Sequence, residues 1–303
     1  MKLNYVIIIA GPTAVGKTAL SLQIAQRFNT AIISADSRQC FRELNIGVAK
    51  PEPAELVLVP HYFINSHSIQ EEVNAAVFEQ YALNAAASVF TQRNLAVMCG
   101  GTGLYIKAFC EGLDNIPHVP DAIHQQAVDL YQANGLEGLQ QELKTKDPVF
   151  WETAEQQNPQ RLMRALEVFY ATGQSINSFR SGKKESRPFR TIKIGLELDR
   201  HLLYERINHR VDMMMEQGLL DEVTSLLPHK HLNALQTVGY REFFDYLDGK
   251  TDLPRAIELL KQNTRHYAKR QLTWFKRDED MRWFHPADGE GVAAYITEIL
   301  TKG

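Results

Sequence analysis

Residues 5–25 read Tyr5-Val6-Ile7-Ile8-Ile9-Ala10, then Gly11-Pro12-Thr13-Ala14-Val15-Gly16-Lys17-Thr18, then Ala19-Leu20-Ser21-Leu22-Gln23-Ile24-Ala25. The first block is a continuous apolar run, as expected of a strand buried on both faces of a parallel sheet. The last block reads as a helix. Between them stands the G-x-x-x-x-G-K-T pattern of a P-loop, in the strand–loop–helix context that gives the pattern its meaning. Two glycines let backbone N–H groups turn inward on a phosphate with no Cβ in the way. The helix N-terminus adds partial positive charge. Lys17 adds a full charge, and Thr18 offers a hydroxyl suited to Mg2+. All eight residues, Gly11, Pro12, Thr13, Ala14, Val15, Gly16, Lys17 and Thr18, are therefore candidate diphosphate ligands, with Thr18 the candidate metal ligand. The alternative is an incidental glycine turn, which the complete pattern in its proper context argues against. The loop reads the geometry of a diphosphate and not the group attached to it, so the polyphosphate stays unidentified at this point.

Two further strands are expected, at Ala31-Ile32-Ile33-Ser34-Ala35 and at Asn94-Leu95-Ala96-Val97-Met98-Cys99, with a helix from Asn74 to Phe90 before the latter. Strands joined by helical crossovers predict a parallel sheet with active groups at the strand C-termini. From Leu113 the character changes. Asn115-Ile116-Pro117-His118-Val119-Pro120 is a linker, and glutamine-rich amphipathic helices follow to about Phe179. Ser181 to Pro188 is a polar loop, and Thr191 to Leu198 alternates like a returning strand. The expected fold class is α/β: a P-loop doubly wound parallel sheet formed by residues 1–112 and 191–303, with a helical insertion domain over 113–190 and a helical C-terminal region.

The 303 residues are 44% hydrophobic and 23% charged, with ample material for a core. The net charge of −3 announces no polyanion, so any nucleic-acid surface must be local. Cys40, Cys99 and Cys110 are the only cysteines and show no CxxC spacing, which suits a reducing, cytoplasmic setting without zinc. No apolar run reaches membrane-spanning length, and the first strand begins too early for a signal peptide. A monomer is expected.

Asp36 follows the second expected strand, which places it beside the phosphate crevice of a doubly wound sheet. There it can serve as a general base, a magnesium ligand or a substrate anchor. The competing role is an Asp that caps the next segment. Thr102, in Cys99-Gly100-Gly101-Thr102-Gly103, can hydrogen-bond a phosphate or a base, or simply cap a helix. Asn158-Pro159 opens a helix whose first turns carry Gln160, Arg161 and Arg164, with Leu162, Ala165, Leu166 and Phe169 as its apolar face. Arg206 and Arg210 lie four apart on a helix beginning near Asp199 and can converge on a phosphate, or pair with Glu205, Asp212 or Glu216. Met213-Met214-Met215 reads as core. Between Arg255 and Arg277 seven Lys and Arg residues face Glu258 alone, and Lys261, Arg265 and Lys269 recur every four residues as a basic stripe. Such a run is a candidate nucleic-acid backbone track; a solvated helix face is the simpler alternative.

Taken in order, these segments resemble the tRNA dimethylallyltransferase family over nearly the whole chain. The resemblance rests on the P-loop, Asp36-Ser37-Arg38-Gln39, Ile46-Gly47-Val48-Ala49-Lys50-Pro51, Pro60-His61-Tyr62 and Gly100-Gly101-Thr102-Gly103-Leu104-Tyr105. It continues through Asn158-Pro159-Gln160-Arg161, Arg164-Ala165-Leu166-Glu167 and Val238-Gly239-Tyr240-Arg241, and ends with Thr264-Arg265-His266-Tyr267-Ala268-Lys269-Arg270-Gln271-Leu272-Thr273-Trp274, the most specific motif. Arg38, Cys40, Phe41, Glu43, Asn45 and Val48 depart from the family pattern and bear on the shape of the loop after Asp36.

The resemblance implies that the P-loop holds dimethylallyl diphosphate and that the acceptor is N6 of the adenine next to the anticodon of a tRNA. It makes Asp36 the general base. Lys17, Arg210 and Mg2+ stabilise the departing diphosphate, and Thr102 joins the catalytic set. It implies tRNA contact, at the anticodon stem-loop, by Asp36, Ser37, Arg38 and Gln39, by Gln160, Arg161, Leu162, Met163 and Arg164, and by Gln236, Thr237, Val238, Gly239, Tyr240 and Arg241. To these the basic stripe adds Lys261, Arg265 and Lys269. A P-loop small-molecule kinase, a prenyltransferase acting on free adenine nucleotides, and a non-catalytic nucleotide-gated RNA-binding module are the rival readings. The insertion and the basic segment favour a macromolecular acceptor over the first two.

Overall fold

The structure, a computed structural model, describes residues 3–302. In chain order its strands are β1 (Tyr5–Ala10), β2 (Ile32–Ser34), β3 (His61–Tyr62), β4 (Leu95–Gly100), β5 (Arg190–Leu196) and β6 (Arg282–Phe284). Its α-helices are α1 (Lys17–Arg27), α2 (Pro53–Leu58), α3 (Ala75–Phe90), α4 (Gly103–Glu111), α5 (Asp121–Lys146), α6 (Pro148–Trp151), α7 (Pro159–Thr172), α8 (Arg200–Glu216), α9 (Leu219–Ser225), α10 (Arg241–Leu247), α11 (Leu253–Phe275) and α12 (Gly289–Lys302). The six strands form one parallel sheet in the order β3-β2-β4-β1-β5-β6. The family of folds expected from the first 25 residues is the one observed. The edge strands β3 and β6 have no counterpart in the sequence reading, because two or three residues are too few to show a period.

β1 is central, and its side chains alternate between two cores, as a two-residue period requires. Tyr5, Ile7 and Ile9 pack with α1 (Ile24, Ala25) and α12 (Val292, Ile296). Val6, Ile8 and Ala10 pack with α3 (Phe78, Ala82) and α4 (Phe109). Each isoleucine here is fully buried, worth about 1.5–3 kcal/mol relative to exposure. Because the chain leaves β1 for β2 and returns to fill the gap with β4, the C-terminal ends of β1, β4 and β2 open side by side onto one crevice.

The chain divides into two compact units, Gly112–Glu185 and the sequence on either side of it. The smaller unit is helical. α5 and α7 pack around Leu139, Leu143, Leu162 and Leu166, and Gly135 breaks α5 with a left-handed φ of 64°. The C-terminal edge of this unit falls at Glu185 and not at 190. Arg187 already belongs to the sheet-bearing unit: its guanidinium donates to the carbonyls of Ala108 at 2.8 Å and Phe109 at 2.9 Å, and Phe189 stacks on Phe109. No described helix is long and apolar enough to cross a membrane.

Candidate active site

The P-loop closes tightly at the end of β1. Gly16, which caps α1, has φ 111°, a conformation that a Cβ would strain. Ala14 adopts a left-handed φ of 64° without being glycine, a local strain typical of ligand-gripping loops. The Lys17 ammonium donates to the Pro12 carbonyl at 2.8 Å, inside the loop. Burial there lowers its pKa to about 8, against the opposing pull of Cys99 and Asp36. Arg206 reaches the loop from α8, donating to the Val15 carbonyl at 3.4 Å.

Gln271, on α11, holds this loop in register with the loop after β4. It is 6% exposed, accepts from the Thr13 N–H at 2.8 Å and donates to the Gly101 carbonyl at 2.9 Å. A Cβ on Gly101 would collide with that amide, so the glycine is what lets Gln271 in. The same loop carries Thr102. Its hydroxyl accepts from the Ser37 N–H at 3.1 Å and so fixes the chain just past Asp36. Asp36 in turn accepts on Oδ1 from the N–H groups of Arg38 at 2.8 Å and Gln39 at 3.3 Å. The capping role weighed for Asp36 is therefore present, and it uses only one oxygen of the carboxylate. One carboxylate oxygen caps the following turn, while Oδ2 makes no hydrogen bond among the described residues and the residue lines a cavity. The Tyr267 hydroxyl lies against Thr102, and burial together with the Asp36 charge pushes it up to about 12, so it stays protonated at neutral pH.

Two cavities meet at this crevice. One, of about 830 Å³, has Ala14 and Thr18 of the P-loop in its wall, with Arg206, His209 and Arg210 of α8. The other, of about 240 Å³, holds Asp36, Ser37 and Arg38 beside Tyr267, with Val211, Val238 and Leu260 as apolar wall. Arg210 lines both, and burial draws its guanidinium below the ordinary value. Lys17, Thr18, Asp36, Thr102 and Arg210, spread over the sequence, are thus brought to one place.

Other expected site residues are placed differently. The Gln39 amide turns inward, donating to the carbonyl of Ala49 at 3.0 Å and accepting from Ser34. Leu162 and Met163 are core residues of the helical unit, 0% and 7% exposed, whereas Gln160, Arg161 and Arg164 of the same helix are exposed. Arg161 pairs with Glu155 at 2.7 Å and Arg164 with Glu167 at 3.1 Å. Of the segment before α10, Thr237 and Val238 line the smaller cavity, Gln236 and Arg241 are exposed, and Gly239 and Tyr240 are buried. The Tyr240 hydroxyl donates to Glu222 at 2.7 Å, and the same carboxylate accepts from the N–H groups of Ile46 and Gly47. That knot shapes the loop that carries Val48 and Ala49.

The basic stripe is also altered. Lys261 sits 2.7 Å from Asp212, and Arg265 donates to Asn208 at 2.6 Å. Both contacts turn inward onto α8, leaving Lys269 as the exposed member. Packing of α11 against α8 gives these cations neighbours that helical spacing alone cannot show. Met213 departs from the core reading as well, being 44% exposed. Glu222 was not singled out in the sequence, Gln271 and Tyr267 were quoted only within the last motif and given no role of their own, and Met214 was read as core. Gln271 had a usable signal: it is a polar residue three after Ala268 and four before Phe275, on the buried stripe of α11.

The departures after Asp36 have structural roles. Cys40 and Phe41 are buried, and Glu43 accepts from Ser68 Oγ at 2.6 Å and the Ile69 N–H at 3.0 Å. Arg38 and Val48 line the smaller cavity.

A family model described as IPP transferase matches residues 39–278, beginning beyond the P-loop and so owing nothing to it. The tRNA dimethylallyltransferase 1 of Bacteroides thetaiotaomicron is 49% identical over 290 residues, 96% of this chain and 94% of its own. Among solved structures, the full-length tRNA isopentenylpyrophosphate transferase of Bacillus halodurans superposes with a TM-score of 0.73 at 34% identity, over 99% of this chain and 97% of that one. A eukaryotic dimethylallyltransferase acting on tRNA superposes with a TM-score of 0.74 at 28% identity, over 94% of this chain and 74% of that one. With the family model spanning most of the sequence and such a relative matching almost end to end, the chain belongs to the IPP transferase family.

Proposed function

We propose that this protein transfers the dimethylallyl group of dimethylallyl diphosphate to the exocyclic N6 of the adenine beside the anticodon of a tRNA, releasing diphosphate. The observation that carries this reading is the pair of adjoining cavities, one built on the P-loop and the other holding Asp36, with Arg210 in the walls of both. The diphosphate lies on the P-loop, among Lys17, Thr18 and Arg210. As the bond from C1 to oxygen breaks, its electrons pass to the diphosphate, whose growing charge these cations stabilise. The adenine amine forms the new bond to C1, and its proton passes to Asp36. Asp36 is half-buried in the wall of a cavity, where an adenine still stacked in its stem-loop cannot present its amine, so the base enters flipped out of its stack. Thr102 and Tyr267 are the polar neighbours that meet it.

Among the described residues no cluster of three acidic, His or Cys side chains is built to hold a metal. Mg2+ takes one or two protein oxygens and fills its shell with water and phosphate, and Thr18 in the wall of the larger cavity offers one such oxygen. The Thr18 hydroxyl would be its protein ligand, and the ion would supply charge neutralisation to the bound diphosphate.

The test is direct. The protein is incubated with dimethylallyl diphosphate, Mg2+ and unmodified tRNA, without ATP, and the digested nucleosides are analysed by mass. Prenylated adenosine is expected; its absence, or phosphoryl transfer from ATP at a competing rate, overturns the reading.

The tRNA grip belongs to the exposed cations, Arg161 and Arg164 on the helical unit and Arg241, Lys269 and Arg270 on the other. Replacing Lys269 and Arg270 by Ala is expected to weaken binding of all tRNA sequences alike, since phosphates carry no sequence information. The slope of log affinity against log salt should flatten by about 0.7 per lost contact, thus about 1.4 for the pair. Lys261→Met, whose ammonium is committed to Asp212, should leave that slope unchanged. Superimposable salt series for the double variant and the parent protein would remove α11 from the interface.

A further inference from the structure

Among the described residues only Ala49, Arg210 and Met214 stand in the walls of both cavities. From this we infer that Met214 sets the length of the allylic chain the enzyme accepts, closing the space beside the reacting carbon so that a five-carbon group fits and a ten-carbon one is refused. The inference rests on the proposed reaction and concerns a different part of the donor from its diphosphate.

The direction of displacement leads to it. The leaving oxygen stays on the P-loop, in the larger cavity, and the attacking amine comes to Asp36 in the smaller one. Displacement requires attacking nitrogen, C1 and leaving oxygen to lie roughly in line, so C1 stands where the cavities join. The rest of the allylic chain must project sideways from that line, against the wall of the junction. Three side chains form the wall. Arg210 is committed to the diphosphate. Ala49 presents a single methyl on a left-handed backbone with φ 48°. Met214 follows Arg210 by four residues on α8, hence on the same face one turn on, and it alone has the length to limit the space. Met214 is partly buried and packs against core residues, so the side chain is backed on that side. A thioether also suits the task, being apolar, polarizable and adaptable in shape to a branched C5 group.

The experiment measures kcat/KM on unmodified tRNA with dimethylallyl diphosphate and with geranyl diphosphate, for the parent protein, Met214→Ala and Met214→Leu. Discrimination by one methylene in an apolar pocket is worth roughly 10–200-fold. Met214→Ala is therefore expected to raise the geranyl-to-dimethylallyl ratio at least about tenfold, with KM for tRNA little changed. Met214→Leu, close in volume, should keep the parent ratio. A ratio for Met214→Ala within about twofold of the parent, in a variant that still melts cooperatively and still uses dimethylallyl diphosphate, overturns the inference. So does a change confined to KM for tRNA, which would put Met214 against the base. Failure of the parent protein to prenylate tRNA at all would instead overturn the proposed function, and the two failures are thereby distinguishable. If Met214→Ala does not fold, Met214→Val supplies the same comparison with less volume removed.

Discussion

Asp36→Asn is expected to lower kcat for prenyl transfer by roughly 10²–10⁴-fold, the range seen when a positioned general base is removed, while leaving the fold and tRNA affinity in place. Selectivity for chemistry follows from the two oxygens of the carboxylate. Oδ1 accepts from the N–H groups of Arg38 and Gln39, and an asparagine carbonyl accepts the same two bonds. The loop from Asp36 to Gln39 therefore keeps its shape, and Thr102 still holds the Ser37 N–H. What is lost is the oxygen that can take a proton, and with it the negative charge that favours cationic character at C1. Circular dichroism, a tRNA binding isotherm and single-turnover transfer separate these effects. A variant whose kcat stays within about threefold of the parent would show that the proton leaves by another route.

The second large effect belongs to Lys17. Lys17→Met should lower kcat/KM for the allylic diphosphate by roughly 10²–10³-fold, comparable to removal of one preorganised group aimed at developing charge. tRNA binding in the absence of donor should barely respond. The pH dependence is a sharper readout. Burial brings the Lys17 pKa down to about 8 in the free protein. Below that pH the ammonium is charged and attracts the diphosphate; above it the amine is neutral and the attraction is lost. Donor kcat/KM should thus fall as pH rises through about 8. Bound diphosphate favours the charged form and raises that pKa, so kcat at saturating donor should hold to higher pH. Lys17→Met should abolish the break in kcat/KM. Persistence of the same break in the variant would assign it to another group.

Both effects depend on two loops keeping their spacing, and Gln271 is what links them. A single buried amide satisfies a P-loop N–H and the carbonyl before Thr102 at once. Buried amides of this kind act as a gauge, because each lost partner leaves a polar group stranded at about 1–3 kcal/mol. The donor loop cannot shift relative to the acceptor loop without that cost.

The strand–loop–helix at 5–27, the parallel sheet and the helical character of the insertion were legible in the sequence, because each rests on a local period or a local motif. A continuous apolar run next to a P-loop admits few folds, and Asn158-Pro159 or Asp199 announces a helix start through contacts within four residues. Asp36 was legible for a similar reason: a strand end next to the phosphate crevice is a topological position, readable once the strands are counted. Tertiary structure alone decided how cations and polar groups are spent. Lys261 and Arg265 looked like a phosphate track until α8 supplied Asp212 and Asn208. Tyr240 looked like a recognition residue until Glu222 claimed its hydroxyl. Met214 looked like core until two cavities opened on either side of it. Local periodicity specifies which face of an element is apolar, but the partner of a charge, or the void beside a side chain, is set by residues distant in sequence that only packing brings within reach.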